Sequence, residues 1–258
     1  MKDIKVLTEN GVDVNASLEL FGDMETYDET LNDFLESVDK KIADIRKYKE
    51  VGDMANYAIL VHSLKSDSKY LGFKQLADMS YQHELRSKEN DYEFVKANFD
   101  DLMKEAARII DLVKRYVNNE VFKSDVVSNT VSNSKTILVV DDSDIIRNFI
   151  KKIFNNSYEV LIANDGKEAI DTISVAEPGK IVGLFLDLNM PNIDGFAVLD
   201  YFKENNLFDK IPVSIITGDD SKETVERAFT YPIVDMLNKP FNEKSVKIIV
   251  EKTINHVR

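Results

Sequence analysis

The chain has 258 residues, 43% hydrophobic and 31% charged, which is the size of two ordinary domains with enough apolar material for real cores. Acidic residues outnumber basic ones 46 to 33, giving a net charge of −13, and both halves are acidic, so neither has the positive field that nonspecific nucleic-acid binding uses. There is no cysteine, which excludes disulfides, thiol catalysis and Cys-ligated metal clusters. The start lacks a signal-peptide core and no apolar run is long enough to span a bilayer. The expected location is therefore the cytoplasm, with no membrane or nucleic-acid partner.

Residues 16–119 carry apolar residues at three- and four-residue spacings and contain no proline, which predicts helix throughout. Breaks near Gly22-Asp23, Gly52-Asp53, Gly72-Phe73 and Asn90-Asp91 divide this stretch into a short lead helix and four longer ones, over 27–50, 53–71, 73–89 and 91–119. Long helices with short connections predict an all-α four-helix bundle. Residues 120–135, EVFKSDVVSNTVSNSK, lose the periodicity and cluster Ser and Asn. They read as a linker, either a flexible coil spanning roughly 20–25 Å or an ordered extension of the last helix.

From Thr136 short apolar runs alternate with amphipathic stretches. The runs are TILVV, YEVLIA, IVGLFL, IPVSIIT and VDML, each followed by a helical segment. Five βα units predict a five-stranded parallel sheet in an α/β doubly wound, flavodoxin-like arrangement, with ligands beyond the carboxyl ends of the strands. Those ends carry one chemistry. Asp141-Asp142 follow the first strand, Asp187 the third, Thr217-Gly218 the fourth and Lys239-Pro240 the fifth. Three close carboxylates repel one another, and a bound divalent cation removes that cost. An all-oxygen site suits a hard ion, Mg²⁺ first. A lysine and a hydroxyl nearby suit a phosphoryl group, and a carboxylate can accept one as an aspartyl phosphate.

ILVVDDS, LFLDLNMPNIDGF, SIITGDD and LNKPF, taken in this order, resemble the four signatures of the response-regulator receiver domain over residues 136–258. The resemblance implies that Asp187 is the phosphoacceptor. It implies that Asp142 ligates Mg²⁺ directly, Asp141 partly through water, and Asn189 through its backbone carbonyl. Lys239 would pair with the phosphoryl group and Thr217 would move onto it. The family usually has an aromatic residue where this chain has Met236, so coupling to the output face is expected to differ. The polar residues Asn189 and Asp219 flank the site and are expected to help orient a hydrolytic water.

There are three histidines. In the second long helix, Met54, Tyr57, Val61, Leu64, Ser68 and Leu71 form one stripe, and His62 lies about 120° from its centre. That places His62 toward solvent or the bundle flank, beside Lys65, Ser66 and Lys69. Neutral imidazole is nucleophilic near neutral pH, and ammonium groups stabilise transferred phosphoryl charge. AILVHSLKSDSKYLG, with the upstream GVDVNASLELFGDMETYDETLNDFL, resembles the histidine-containing phosphotransfer (HPt) family over residues 10–119. This implies His62 as phosphoacceptor and Lys65 as its supporting cation. Ser66 stands where that family usually has glycine. His83 is expected on a helix surface or flank, and His256 in a frayed last turn.

No Glu-x-x-His pair, Gly-rich phosphate loop or kinase ATP-binding domain is present, and no DNA-binding output domain is expected after the last unit. The expectation is a Mg²⁺-dependent, non-enzymatic phosphorelay protein: HPt bundle over 1–119, linker over 120–135, receiver over 136–258. It would pass phosphoryl groups between His62, Asp187 and partner proteins, which would be histidine kinases or other receiver and HPt proteins. The receiver's last helices are a candidate dimer surface. Two alternatives remain open. One is a regulatory interaction protein whose receiver is a phosphorylation-gated docking switch and whose bundle only binds. The other is a phosphate sink draining through Asp187.

Overall fold

The computed structural model describes residues 3–117 and 135–256. They form two compact units, divided within the segment 118–134. Apart from Lys135, the anticipated linker lies outside the described residues, as does the end of the helix anticipated to reach residue 119.

The N-terminal unit contains α1 (Lys5–Thr8), α2 (Val14–Phe21), α3 (Met24–Val51), α4 (Met54–Tyr70), α5 (Lys74–Lys88) and α6 (Tyr92–Val117). The expected lead helix is α2, and the four-residue α1 precedes it, outside the stretch expected to be helical. Asp13 opens α2 by accepting the Ala16 amide, which gives the short lead segment its own start. The same device recurs. Gly22, Gly52 and Asn90 adopt positive φ and close one helix, and the aspartate that follows caps the next. Cap chemistry therefore starts α3 at Met24, ahead of the apolar periodicity that suggested residue 27. Among the long helices, α4 and α6 each contact both α3 and α5, closing a ring around a core that includes Tyr27, Leu31, Phe34, Tyr57, Leu64, Leu102 and Ile109. No described helix is long and apolar enough to cross a membrane.

The C-terminal unit contains β1 (Thr136–Val140), α7 (Asp144–Phe154), β2 (Glu159–Ala163), α8 (Gly166–Val175), β3 (Ile181–Leu186), α9 (Gly195–Glu204), β4 (Val213–Thr217), α10 (Lys222–Ala228), β5 (Asp235–Asn238) and α11 (Glu243–Ile254). All strand pairs are parallel, in the order β2-β1-β3-β4-β5. The central β1, β3 and β4 are almost wholly buried, while the edges β2 and β5 are half-buried. That gradient is what helices on two faces and open edges produce. Strand order reverses between β1 and β3, so the crevice beyond their carboxyl ends is the ligand position of such sheets. Val140 and Leu186, the last residues of β1 and β3, pair directly. The residues that follow them are therefore forced together.

Candidate functional site

Those residues are Asp141, Asp142 and Asp187, and their ligand oxygens lie within 4.8 Å of one another. Asp141 and Asp187 are buried, while Asp142 is half-buried. Lys239, following β5, reaches under them. Its Nζ donates to Asp187 Oδ2 at 2.5 Å and pairs with Asp141 Oδ2 at 2.7 Å. Its amide donates to the Thr217 carbonyl at 2.8 Å, which ties the ends of β4 and β5 to the same corner. Burial pushes the Asp141 carboxyl up to about 6, with the Asp187 charge adding to the rise and Lys239 opposing it. Burial works against the Lys239 charge, but Asp141, Asp187 and Asp142 outweigh it and hold the ammonium protonated well above its ordinary range. The residues present fit a hard divalent cation. The donors are all oxygen, three carboxylates converge, and one lysine does not neutralise them.

The loop after Asp187 wraps this corner. The Asn189 amide donates to Asp187 Oδ1 at 3.3 Å, and the Gly195 amide donates to the Leu188 carbonyl at 3.0 Å. A methyl group at Gly195 would overlap the Asp187 carbonyl, so only glycine lets the loop fold back here. Thr217 is buried at the same edge, and its hydroxyl accepts the Asp219 amide at 3.2 Å. Both oxygens of Asp219 are engaged at the start of α10, by the Ser221 amide at 3.0 Å and the Thr224 hydroxyl at 2.9 Å. Asp219 thus serves its own loop, a use that its position beside the site did not reveal. Met236, like Tyr231 and Ile233, packs half-buried against the sheet core.

In the N-terminal unit the structure corrects the surroundings expected for His62. The imidazole is 3% exposed, and its Nδ1 is hydrogen-bonded to Glu84 Oε1 at 2.7 Å. Lys65 Nζ donates to Glu84 Oε2 at 2.6 Å and lies 3.2 Å from the same Nδ1, and Lys88 donates to Glu84 Oε1 at 2.7 Å. The apolar stripe of α4 marks only one of its packed faces. Helix α5 lies along the polar face as well, and Glu84 supplies the partners that offset the cost of burial there. Ser66 is buried too. Burial pushes the Glu84 carboxyl up, but the bonds and charges of His62 and Lys65 prevail and hold it well below its usual range. Burial lowers Lys65, with Glu84 opposing.

His83 is likewise not a surface residue. It is 2% exposed, bonded to the Tyr57 hydroxyl at 2.7 Å and packed edge-on against Phe94. It faces α4 and α6 together, and burial lowers its pKa. His256 is exposed after α11. Glu84 is the residue of this cluster that the sequence motifs did not single out. Its signal was the buried stripe of α5, in which Leu76, Ser80, His83 and Ser87 also stand.

Residues 137–251 match the family model for the response regulator receiver domain. The C-terminal unit is a receiver domain, a signalling module of phosphorelay and response regulation. The chain is 34% identical over 106 residues to response regulator MprA of Mycolicibacterium vanbaalenii, covering 41% of this chain and 44% of that one. It is 24% identical over 161 residues to hybrid signal transduction histidine kinase D of Dictyostelium discoideum, covering 62% of this chain and 10% of that one. The chain spans less than half the length of either. Among solved structures, chemotaxis protein CheY4 of Vibrio cholerae is 25% identical, with a TM-score of 0.43, covering 47% of this chain and 99% of that one.

Proposed function

We propose that the chain is a phosphorelay protein in which a phosphotransfer bundle, residues 1–119, is joined through 120–135 to a receiver, residues 136–258. The observation that carries the proposal is the corner where Lys239 bridges Asp187 and Asp141 beside Asp142. An Asp187 oxygen attacks the phosphorus of a phosphohistidine or acyl phosphate. The new O–P bond forms as the donor's N–P or O–P bond breaks, and the donor leaves as imidazole or carboxylate. Lys239 shifts from carboxylate to phosphoryl oxygen as charge builds there. Thr217 turns its hydroxyl from the Asp219 amide toward the phosphoryl group. Asp141, Asp142, Asp187 and the Asn189 carbonyl would hold Mg²⁺, which when bound supplies charge neutralisation on the phosphoryl oxygens.

In the helical unit, Glu84 accepts the Nδ1 proton of His62. Once the ring has lost its second proton, Nε2 carries the lone pair and is the nucleophile. Attack on a phosphoaspartate forms an N–P bond and restores the carboxylate, with Lys65 supporting the charge. The upstream partner is a histidine kinase or small phosphodonor, and the downstream partner another receiver or phosphotransfer protein.

Ser66 and Met236 favour a second reading, in which the receiver is a docking switch and the bundle only binds. Signalling that survives His62→Gln but fails in Asp187→Asn would select it.

Borohydride reduction tests the acceptor assignment. The protein is treated with acetyl phosphate and Mg²⁺, reduced and digested. Homoserine is expected at position 187, and none when EDTA is added or in Asp187→Asn. Homoserine at another aspartate, or none under any condition, overturns the assignment.

A further inference from the structure

The loop that follows Asp187 is held from outside the acid corner. Asp165 is buried at the start of α8, where its Oδ1 accepts the Glu168 amide at 2.8 Å. Its second oxygen does not serve the helix. Oδ2 accepts from Asn192 Nδ2 at 2.7 Å. One residue further on, the Gly166 amide donates to the Ile193 carbonyl at 3.0 Å, and a Cβ at Gly166 would sit 2.5 Å from that same carbonyl oxygen. Asn192 holds positive φ at 63°, so the loop turns sharply where its side chain is caught. Two adjacent residues at the start of α8 thus grip two adjacent residues of the acceptor loop. At its other end the loop is closed by Gly195 against Leu188.

We infer that the Asp165–Asn192 hydrogen bond is a positioning latch, which fixes the loop so that the Asn189 carbonyl faces the acid corner and completes its cation site. The inference rests on the reading of Asp141, Asp142 and Asp187 as that site. The physical reason is preorganisation. A backbone carbonyl contributes to ion affinity in proportion to how little the loop must be ordered on binding. Three carboxylates can gather an ion without the loop, so the latch tunes affinity without creating it. The partners are complementary in a way that can be inverted. In Asp165→Asn the new side chain could keep the helix cap with its Oδ1 and donate through its Nδ2 to a carboxylate introduced by Asn192→Asp.

The test is calorimetric titration of the full chain with Mg²⁺ alone, without phosphodonor. Asn192→Gly deletes the hydrogen bond, keeps the helix cap and tolerates positive φ. It is expected to weaken Mg²⁺ binding by about three- to tenfold, the equivalent of one lost hydrogen bond. Asn192→Asp, which sets two carboxylates face to face, is expected to weaken it by more, on the order of tenfold. The exchange Asp165→Asn with Asn192→Asp is expected to restore binding to within about twofold of the wild type, since the donor and acceptor are paired again. The recovery separates the latch from mere damage, because a chain harmed by each single change is not repaired by both. Unchanged affinity in Asn192→Gly, or a double variant no better than Asn192→Asp, overturns the latch. Asp142→Asn is the control for the underlying site. If the wild type shows no saturable Mg²⁺ binding that Asp142→Asn removes, the reading of the acid corner fails, and the latch fails with it.

Discussion

Glu84 gathers the buried polar groups of the helical unit around one carboxylate. Glu84 takes bonds from His62, Lys65 and Lys88 in a setting where an unpaired charge would be costly. Glu84→Gln is expected to destabilise the helical unit by about 2 kcal/mol at neutral pH, the cost of losing hydrogen bonds to a buried charge. Thermal unfolding of the full chain measures this. The acid limb follows from the depressed pKa. The folded carboxylate stays ionised below the 4.5 at which the unfolded one titrates. Its stabilisation is therefore complete above pH 4.5 and is lost progressively as pH falls further, a loss that Glu84→Gln should flatten. His83 acts one step higher. Its ring is lowered from 6.5 by burial, so the fold favours the neutral form. The unfolded chain takes up the proton first, and stability should decline as pH falls below 6.5. A smaller decline of the unfolding midpoint between about pH 7 and 5.5 in His83→Asn than in the wild type is the expected result.

At the scale of elements, the acid corner exists because β1 and β3 are adjacent in the sheet although separated in sequence by a whole βα unit. Their last residues, Val140 and Leu186, pair in register. The continuous apolar runs made the strands legible, and the residues at their ends made the acid corner legible, because both are local patterns. The contact of α8 with the loop after Asp187 was not legible, since nothing in ANDGKEA or MPNIDGF announces that Asp165 meets Asn192. Nor was the burial of His62 and His83 legible. Helical periodicity marks apolar faces, and a polar face that packs against a neighbouring helix through hydrogen bonds looks the same as one facing water. Glycines carry the tightest constraint. Gly195→Ala must push its methyl against the Asp187 carbonyl, and Gly166→Ala against that of Ile193. Each is expected to destabilise the receiver by about 1–3 kcal/mol. Gly195→Ala should also slow acetyl phosphate labelling, because it displaces Asp187, the proposed acceptor. Unfolding curves and initial labelling rates separate the two effects.

At the scale of the molecule, the proposed relay gives the two units nucleophiles of different kinds, an imidazole in the helical unit and a carboxylate at a sheet edge. Neither unit offers a nucleotide-binding loop among its sequence motifs, so in the proposed relay phosphoryl groups enter from outside and are exchanged. Removal of divalent cations should abolish labelling of Asp187 and leave the fold intact, because Lys239 already pairs with two of the three carboxylates. The decisive measurement follows labelled phosphoryl groups with time in the wild type, His62→Gln and Asp187→Asn after a pulse of acetyl phosphate and Mg²⁺. Acid-labile phosphohistidine is distinguished from base-labile phosphoaspartate. A relay gives base-labile label first, on Asp187, then acid-labile label that is absent from both variants. Acid-labile label in Asp187→Asn, or none in the wild type even when partner phosphotransfer proteins are supplied, would contradict it.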